Sequence, residues 1–247
     1  MNNLHSVFKT GMEAPEAIAK IAEMSPSIST MYFYAYHPTY NVKESMRGRR
    51  GRPLMPRLLY HDFTNGQYKL RRGEITVEKI REITGSLGED CVLGVMSKVR
   101  AGRSRLHIPM MDFDYRKCEA RWDIIESFFR QIDQEGIIIH SGRAYHFYGF
   151  RLLNEKEWLD FLGKCLLSEL VDERYVGHRL IDGCGILRIS ACPLRPMVPA
   201  VITVVTKGVA PGRELMDIRS MPNFEKMKER ENEARGLPKD FHRRVLK

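Results

Sequence analysis

Leu106-His-Ile-Pro-Met-Met-Asp-Phe-Asp-Tyr115 decides how the rest of the chain is read. Apolar and acidic residues alternate from Met111 to Asp114, which is the period of a β-strand. Met111 and Phe113 then point to a core, and Asp112 and Asp114 share the opposite face. Two carboxylates about 7 Å apart on one strand repel each other when both are ionised. A divalent cation between them relieves that repulsion. Asp is also a poor strand former, so the pattern asks for a reason. A solvated edge strand would carry the same pair without any metal.

The elements on either side have a regular order. Cys91–Lys98 reads as a strand and Val99–Arg105 as a basic turn leading into the acidic strand. Downstream, Trp122, Ile125, Phe128, Phe129 and Ile132 recur at steps of three and four, which puts one apolar stripe on a helix over 118–135. Ile137–His140 reads as a buried strand, Ser141-Gly-Arg143 as a turn, and Ala144–Leu153 as the strand that closes a hairpin. A second amphipathic helix is expected over 154–169, with Asn154 as N-cap and Glu157 completing a capping box. Strands follow at Gly185–Ala191 and Ala200–Thr206. Two helices on one face of a small mixed sheet is the expected packing, an α+β layout of the ferredoxin or RNA-recognition type.

Before this core stand a helix over 14–24, an aromatic strand Met31–Tyr36 and a helix over 76–84, giving a small N-terminal α/β module. The expected boundaries are 1–89 for that module, 90–210 for the core and 211–247 for a charged tail. The chain has 247 residues, 43 % hydrophobic and 29 % charged, which is ordinary globular composition. No stretch has the roughly 18 consecutive apolar residues of a membrane span. The first residues carry no apolar leader, so a cytoplasmic protein with no membrane partner is expected. The five cysteines include no CxxC pair, which argues against a zinc ribbon. They read as small buried apolar residues.

Lysine and arginine total 40 against 31 acidic residues, a net charge of +9 that suits a polyanionic partner. Two basic segments stand out. Residues 43–57 carry Arg47, Arg49, Arg50 and Arg52 among glycines and prolines, and the turn at 98–105 carries Arg103 and Arg105. Either segment alone is also what a solvated loop looks like. Together beside acidic residues they fit a nucleic-acid backbone, which needs positive charge to approach carboxylates.

Three more residue groups bear on chemistry. Ser141, Gly142, Arg143 and His146 offer a hydroxyl, free backbone, a guanidinium and an imidazole at one turn, a set suited to a phosphate chain. A hairpin turn with a half-buried histidine has the same sequence. Asp182 precedes Gly183 and the strand Ile186–Ser190. It is either a turn residue or, if it faces Asp112 and Asp114, a third metal ligand.

The order of these pieces resembles the catalytic core of the archaeo-eukaryotic primase superfamily. Ile108–Asp114 matches that family's hydrophobic DhD strand, Ser141–His146 its Ser/His motif, and Ile181-Asp182 its later hydrophobic-Asp motif. The resemblance covers about residues 90–206. It implies a primase-polymerase palm. It further implies Asp112, Asp114 and Asp182 as catalytic metal ligands for Mg²⁺ or Mn²⁺, and Ser141, Arg143 and His146 as contacts to a nucleoside triphosphate. Ala144 stands where many members have Gly, and Asp182 lacks the basic residues often found after that motif.

The expected activity is template-directed nucleotidyl transfer on single-stranded or primed nucleic acid. The alternatives are a catalytically inactive nucleic-acid-binding protein on the same scaffold, with Tyr145, Phe147 and Tyr148 stacking bases, and a metal-dependent phosphodiester hydrolase. The sequence has no G-x-x-x-x-G-K-[ST] loop, so a helicase or other replication or defence partner would be a separate chain.

Overall fold

The computed structural model describes residues 4–38, 66–113, 128–129, 131–142 and 145–206. Asp114, Arg143, Ala144, Cys118, the basic segment 43–57 and the tail 211–247 lie outside them, as does most of the expected helix over 118–135.

In chain order the elements are α1 (Leu4–Val7), α2 (Ala14–Met24), β1 (Ile28–Tyr36), β2 (Gln67–Arg71), α3 (Val77–Gly85), β3 (Val92–Met96), β4 (Lys98–Ala101), β5 (Ser104–His107), β6 (Met110–Phe113), β7 (Gly136–His140), β8 (Tyr145–Gly149), α4 (Glu155–Leu166), α5 (Glu173–Asp182), β9 (Ile186–Arg188) and β10 (Ala200–Val205). The fold is α+β, and the pairings between the named strands are antiparallel.

The strands form two sheets. The larger is built around β1. β2 pairs along one edge of β1, and β3 and β4, separated by Ser97, pair along the other. β9 then pairs with β3, and β5 with β4. The 1–89 segment therefore shares this sheet with strands of the 90–210 segment. The smaller sheet runs β10-β7-β8-β6.

Local sequence explains most of the elements. Pro15 at the start of α2 costs no hydrogen bond there, and Ala17, Ile18, Ile21 and Ala22 make its buried stripe. Thr76 caps α3 by accepting from the Lys79 N–H. Asn154 caps α4 as expected: its Oδ1 accepts from Glu157 N–H at 3.0 Å, and Glu157 accepts from Asn154 N–H at 2.9 Å. That backbone N–H, with the Arg151 guanidinium, holds the Glu157 carboxyl below the usual carboxylate range.

Two boundaries differ from the expectation. The turn expected over 99–105 is a β4–β5 hairpin whose turn is only Gly102-Arg103, with Val99 buried and Arg100 exposed. The acidic strand is interrupted at Pro109, which has no N–H for a ladder, so β5 ends at His107 and β6 begins at Met110.

Two cores result. One lies between the larger sheet, the inner face of the smaller sheet and helices α2 and α3; Phe33, Val95, Ile137 and Val201 are among its members. The other lies on the opposite face of the smaller sheet. There Met111, Phe113, Ile138 and Phe147 pack against Trp158, Phe161 and Leu162 of α4 and against Phe128, Phe129 and Ile132. β8 is thus covered on both faces. Tyr145, Phe147 and Tyr148 are 3 %, 0 % and 0 % exposed, which removes them as base-stacking candidates. Among the described cysteines Cys165, Cys184 and Cys192 are buried and Cys91 is half-buried.

Candidate functional site

Asp112 and His146 stand directly opposite each other on β6 and β8. Their neighbours Met111 and Phe147 are paired on the other face, in the second core. Alternation therefore turns Asp112 and His146 together toward the side that Met111 and Phe113 do not occupy. The Asp112 side chain keeps 28 % of its exposure, and its Oδ1 lies 3.8 Å from Nε2 of His146.

His146 is buried. That burial, aided by the Arg188 and His140 charges, pushes its imidazole down to about 3. It is a neutral ring at physiological pH, able to bind a polar group without adding charge. Its Nδ1 is buried with no hydrogen-bond partner among the described residues.

Ser141 follows the end of β7, and Gly142 follows it with φ +95°, a conformation that favours glycine. The turn is held from the other sheet. Arg188, at the end of β9 and 7 % exposed, donates to the carbonyls of Ser141 and Ser190, and to that of Met197 at 2.7 Å. One guanidinium fork thus ties the Ser141 turn to the 190–197 loop and places a fixed positive charge beside His146. Sequence reasoning noted the strand Ile186–Ser190 but gave Arg188 no role. The signal was an arginine in an otherwise apolar strand.

Asp182 is the last residue of α5, followed by Gly183 at φ +66°. Its carboxylate pairs with Arg179 at 3.1 Å, and the two side chains are 12 % and 5 % exposed. Arg179 also sits 5.0 Å above the Tyr175 ring. Arg103 and Arg105 lie in the β4–β5 hairpin, Arg103 in its turn and Arg105 on β5, and both are exposed.

A second polar cluster was not foreseen. The Gly185 N–H donates to Ser97 Oγ at 2.7 Å, Ser97 Oγ lies 3.2 Å from His107 Nδ1, and His107 Nε2 lies 3.1 Å from Glu155. The Glu155 carboxylate accepts from Nε2, and in the neutral ring Nδ1 accepts from the Ser97 hydroxyl. Burial holds the His107 imidazole below its usual value despite the Glu155 bond. The residue types are those of a nucleophile, base and acid. Ser97 and His107 are both 0 % exposed, however, and the His107 ring is stacked on Trp158 at 4.3 Å. This is an internal brace between the larger sheet and α4, its serine and histidine closed off from solvent.

A family model, archaeo-eukaryotic primase 1D-like, matches residues 71–196, about half of the chain. The chain belongs to this family. Neither the curated proteins nor the solved structures contain a match. The matched span holds Asp112, Ser141, His146, Asp182 and Arg188. Membership places the chain in a primase/nucleotidyltransferase-type family, whose members typically use divalent metals. Among the described residues no group of three His, Cys, Asp or Glu side chains is disposed to hold a metal. No helix among them is long and apolar enough to cross a membrane.

For a hard divalent cation the described donors are the half-buried Asp112 carboxylate and the neutral His146 nitrogen beside it. That chemistry fits the start of such a site. Asp114, two residues further on, is the natural second carboxylate and lies outside the described residues.

Proposed function

We propose that the protein catalyses template-directed nucleotidyl transfer, as a primase, a polymerase or both. The observation that carries the reading is the direct pairing of Asp112 with His146 beside the Arg188-held Ser141 turn, inside the span that matches a primase family. Asp112 and Asp114 are the residues that would hold Mg²⁺ or Mn²⁺. A bound divalent ion would acidify the attacking hydroxyl and offset charge on the leaving pyrophosphate.

The rest falls to the chain's own groups. Ser141, Gly142 and Arg143 would hold the triphosphate, with Arg143 forking onto phosphate oxygens. His146, neutral at working pH, would orient a phosphate oxygen or the sugar without competing with the metal for negative charge. Arg188 would fix the turn so that these groups meet the nucleotide in one geometry. Asp182 is already engaged by Arg179, so its place in this reading is to fix the end of α5.

Extension of a labelled primer on a template, with and without divalent metal, tests the assignment. Asp112→Asn should lower metal-dependent extension by at least about a hundredfold, roughly 2.7 kcal/mol of transition-state stabilisation. Its melting temperature should stay at the wild-type value. Shortening of the primer instead of extension would mark a hydrolase, and mobility shift without either would mark a binding protein.

A further inference from the structure

The outer face of the larger sheet has a composition that the site above does not use. Its six strands contain no Asp or Glu, although the chain has 31 acidic residues. They contain six lysines and arginines. The registers place most of these on one face. Thr30 pairs with Arg71 on one side and with Arg100 on the other, and Arg100 pairs with Arg105. Cross-strand partners share a face, so three arginines stand in one row four strands wide, about 14 Å across.

The same face of β1 carries Tyr32, Tyr34 and Tyr36 at alternate positions, with Lys69 directly opposite Tyr32. The other face of β1, with Met31, Phe33 and Ala35, is the buried one. Tyr34 is 9 % exposed and packs with Met96 and Ile186, so it anchors the row. Tyr32 and Tyr36 are half-buried, while Lys69, Arg71, Arg100 and Arg105 are exposed. Among the described residues no carboxylate pairs with any of these four cations. Arg100 directly opposite Arg105 is a repulsive pair with no counter-charge among the described residues, which favours an anion from outside.

The face also leads somewhere. Tyr34 pairs with Gly94, and Gly94 pairs with Arg188. A Cβ on Gly94 would come within 2.9 Å of the Tyr36 ring, so the ring leans over the glycine toward β9. Arg188 then reaches the Ser141 turn. From Thr30 to Tyr36 the row runs about 20 Å along β1.

We infer that this tyrosine- and arginine-bearing face of the larger sheet is a docking track for single-stranded nucleic acid, running from the arginine row to the Ser141 turn. Phosphates lie over Arg71, Arg100, Arg105 and Lys69. Bases stack on the rings of Tyr32 and Tyr36, whose flat faces accept any base. The inference rests on the proposed nucleotidyl transfer for its end point and adds the path of the template.

The test measures binding alone, with neither metal nor nucleotide present. Fluorescence anisotropy of a labelled oligothymidylate of about 12 nucleotides, within the site sizes of single-strand binders, gives affinity and its salt dependence. Tyr32→Ala should weaken binding about tenfold, as loss of one stacking ring does, and Tyr32→Phe should restore it. Arg100→Ser with Arg105→Ser should reduce the slope of log K against log salt by about 1.4, two single-strand phosphate contacts. Both arginines are exposed, so these variants should melt like the wild type.

Wild-type affinity and slope in the tyrosine and arginine variants would overturn the track, and so would a wild-type protein that holds no oligonucleotide. If the variants lose binding and the wild type extends no primer, the track stands and the catalytic reading fails.

Discussion

Arg179 and Asp182 close an ion pair of 3.1 Å across the last turn of α5, and both side chains are nearly buried. A carboxylate so placed is answered within its own helix. Removing it leaves the guanidinium uncompensated in a low-dielectric setting, which costs more than an exposed pair returns. Asp182→Asn should therefore lower stability by about 3 kcal/mol, roughly 6–12 °C in melting temperature. An unchanged melt with loss of metal-dependent extension would move Asp182 into the metal site.

His107 predicts a pH dependence. Its folded imidazole is held below the ordinary value by burial, so the folded chain refuses a proton that the unfolded chain accepts. The unfolded state binds more protons just below the ordinary histidine value. Stability is thus present above about pH 6.5 and is lost as the pH falls. Urea midpoints between about pH 7.5 and 5.5 should decline, and His107→Gln should show a shallower decline. Equal slopes in the two proteins would assign the effect elsewhere.

Arg188→Lys keeps the charge but loses the fork. An ammonium cannot span the Ser141, Ser190 and Met197 carbonyls as the planar guanidinium does. With one such charge-assisted bond lost, stability should drop by about 2 kcal/mol in denaturant titration. In primer extension the nucleotide KM should rise more than kcat falls, because the turn that receives the triphosphate is loosened. A fall in kcat at constant KM would argue that Arg188 acts at the transition state.

Asn154→Ala tests the α4 cap. The Oδ1 that accepts from the Glu157 N–H disappears, while the backbone N–H at 154 still donates to the Glu157 carboxylate, and the loss should be about 1 kcal/mol. Asn154→Asp should recover most of it, since aspartate caps as well as asparagine. A cost near zero would mean that packing of Trp158, Phe161 and Leu162 alone sets the start of the helix.

The parts legible in sequence are those set by local chemistry. The Pro15 start and apolar stripe give α2 over Ala14–Met24, and Asn154 with Glu157 marks where α4 begins. α5 was hidden because its buried positions include Val176 and Arg179 while Leu180 and Ile181 are exposed, so apolar spacing points the wrong way. The β4–β5 hairpin was hidden because its basic residues look like a loop, although Arg100 and Arg105 are the outward half of an alternating pattern. In the site, Asp112 and the Ser141–His146 turn were legible as types in an order. Which strands pair was not, because register arises from contacts remote in sequence. Arg188 and the Ser97–His107–Glu155 brace depend wholly on such contacts.

Pro109 and Gly149 meet where β6 and β8 begin their pairing: the Gly149 N–H donates to the Pro109 carbonyl at 2.8 Å, and a Cβ on Gly149 would come within 2.8 Å of the proline ring. That junction behaves as a doorstop. From it, three residues lead to Asp112 on one strand and three to His146 on the other, so the two arrive abreast. Removing a single residue from this count would not merely shorten a strand. On β6 it would present Phe113 where the carboxylate belongs and send the acid into the aromatic core. The distance from the doorstop to Asp112 behaves as all-or-none. A one-residue deletion there is thus a complete chemical knockout that alters neither of the two side chains.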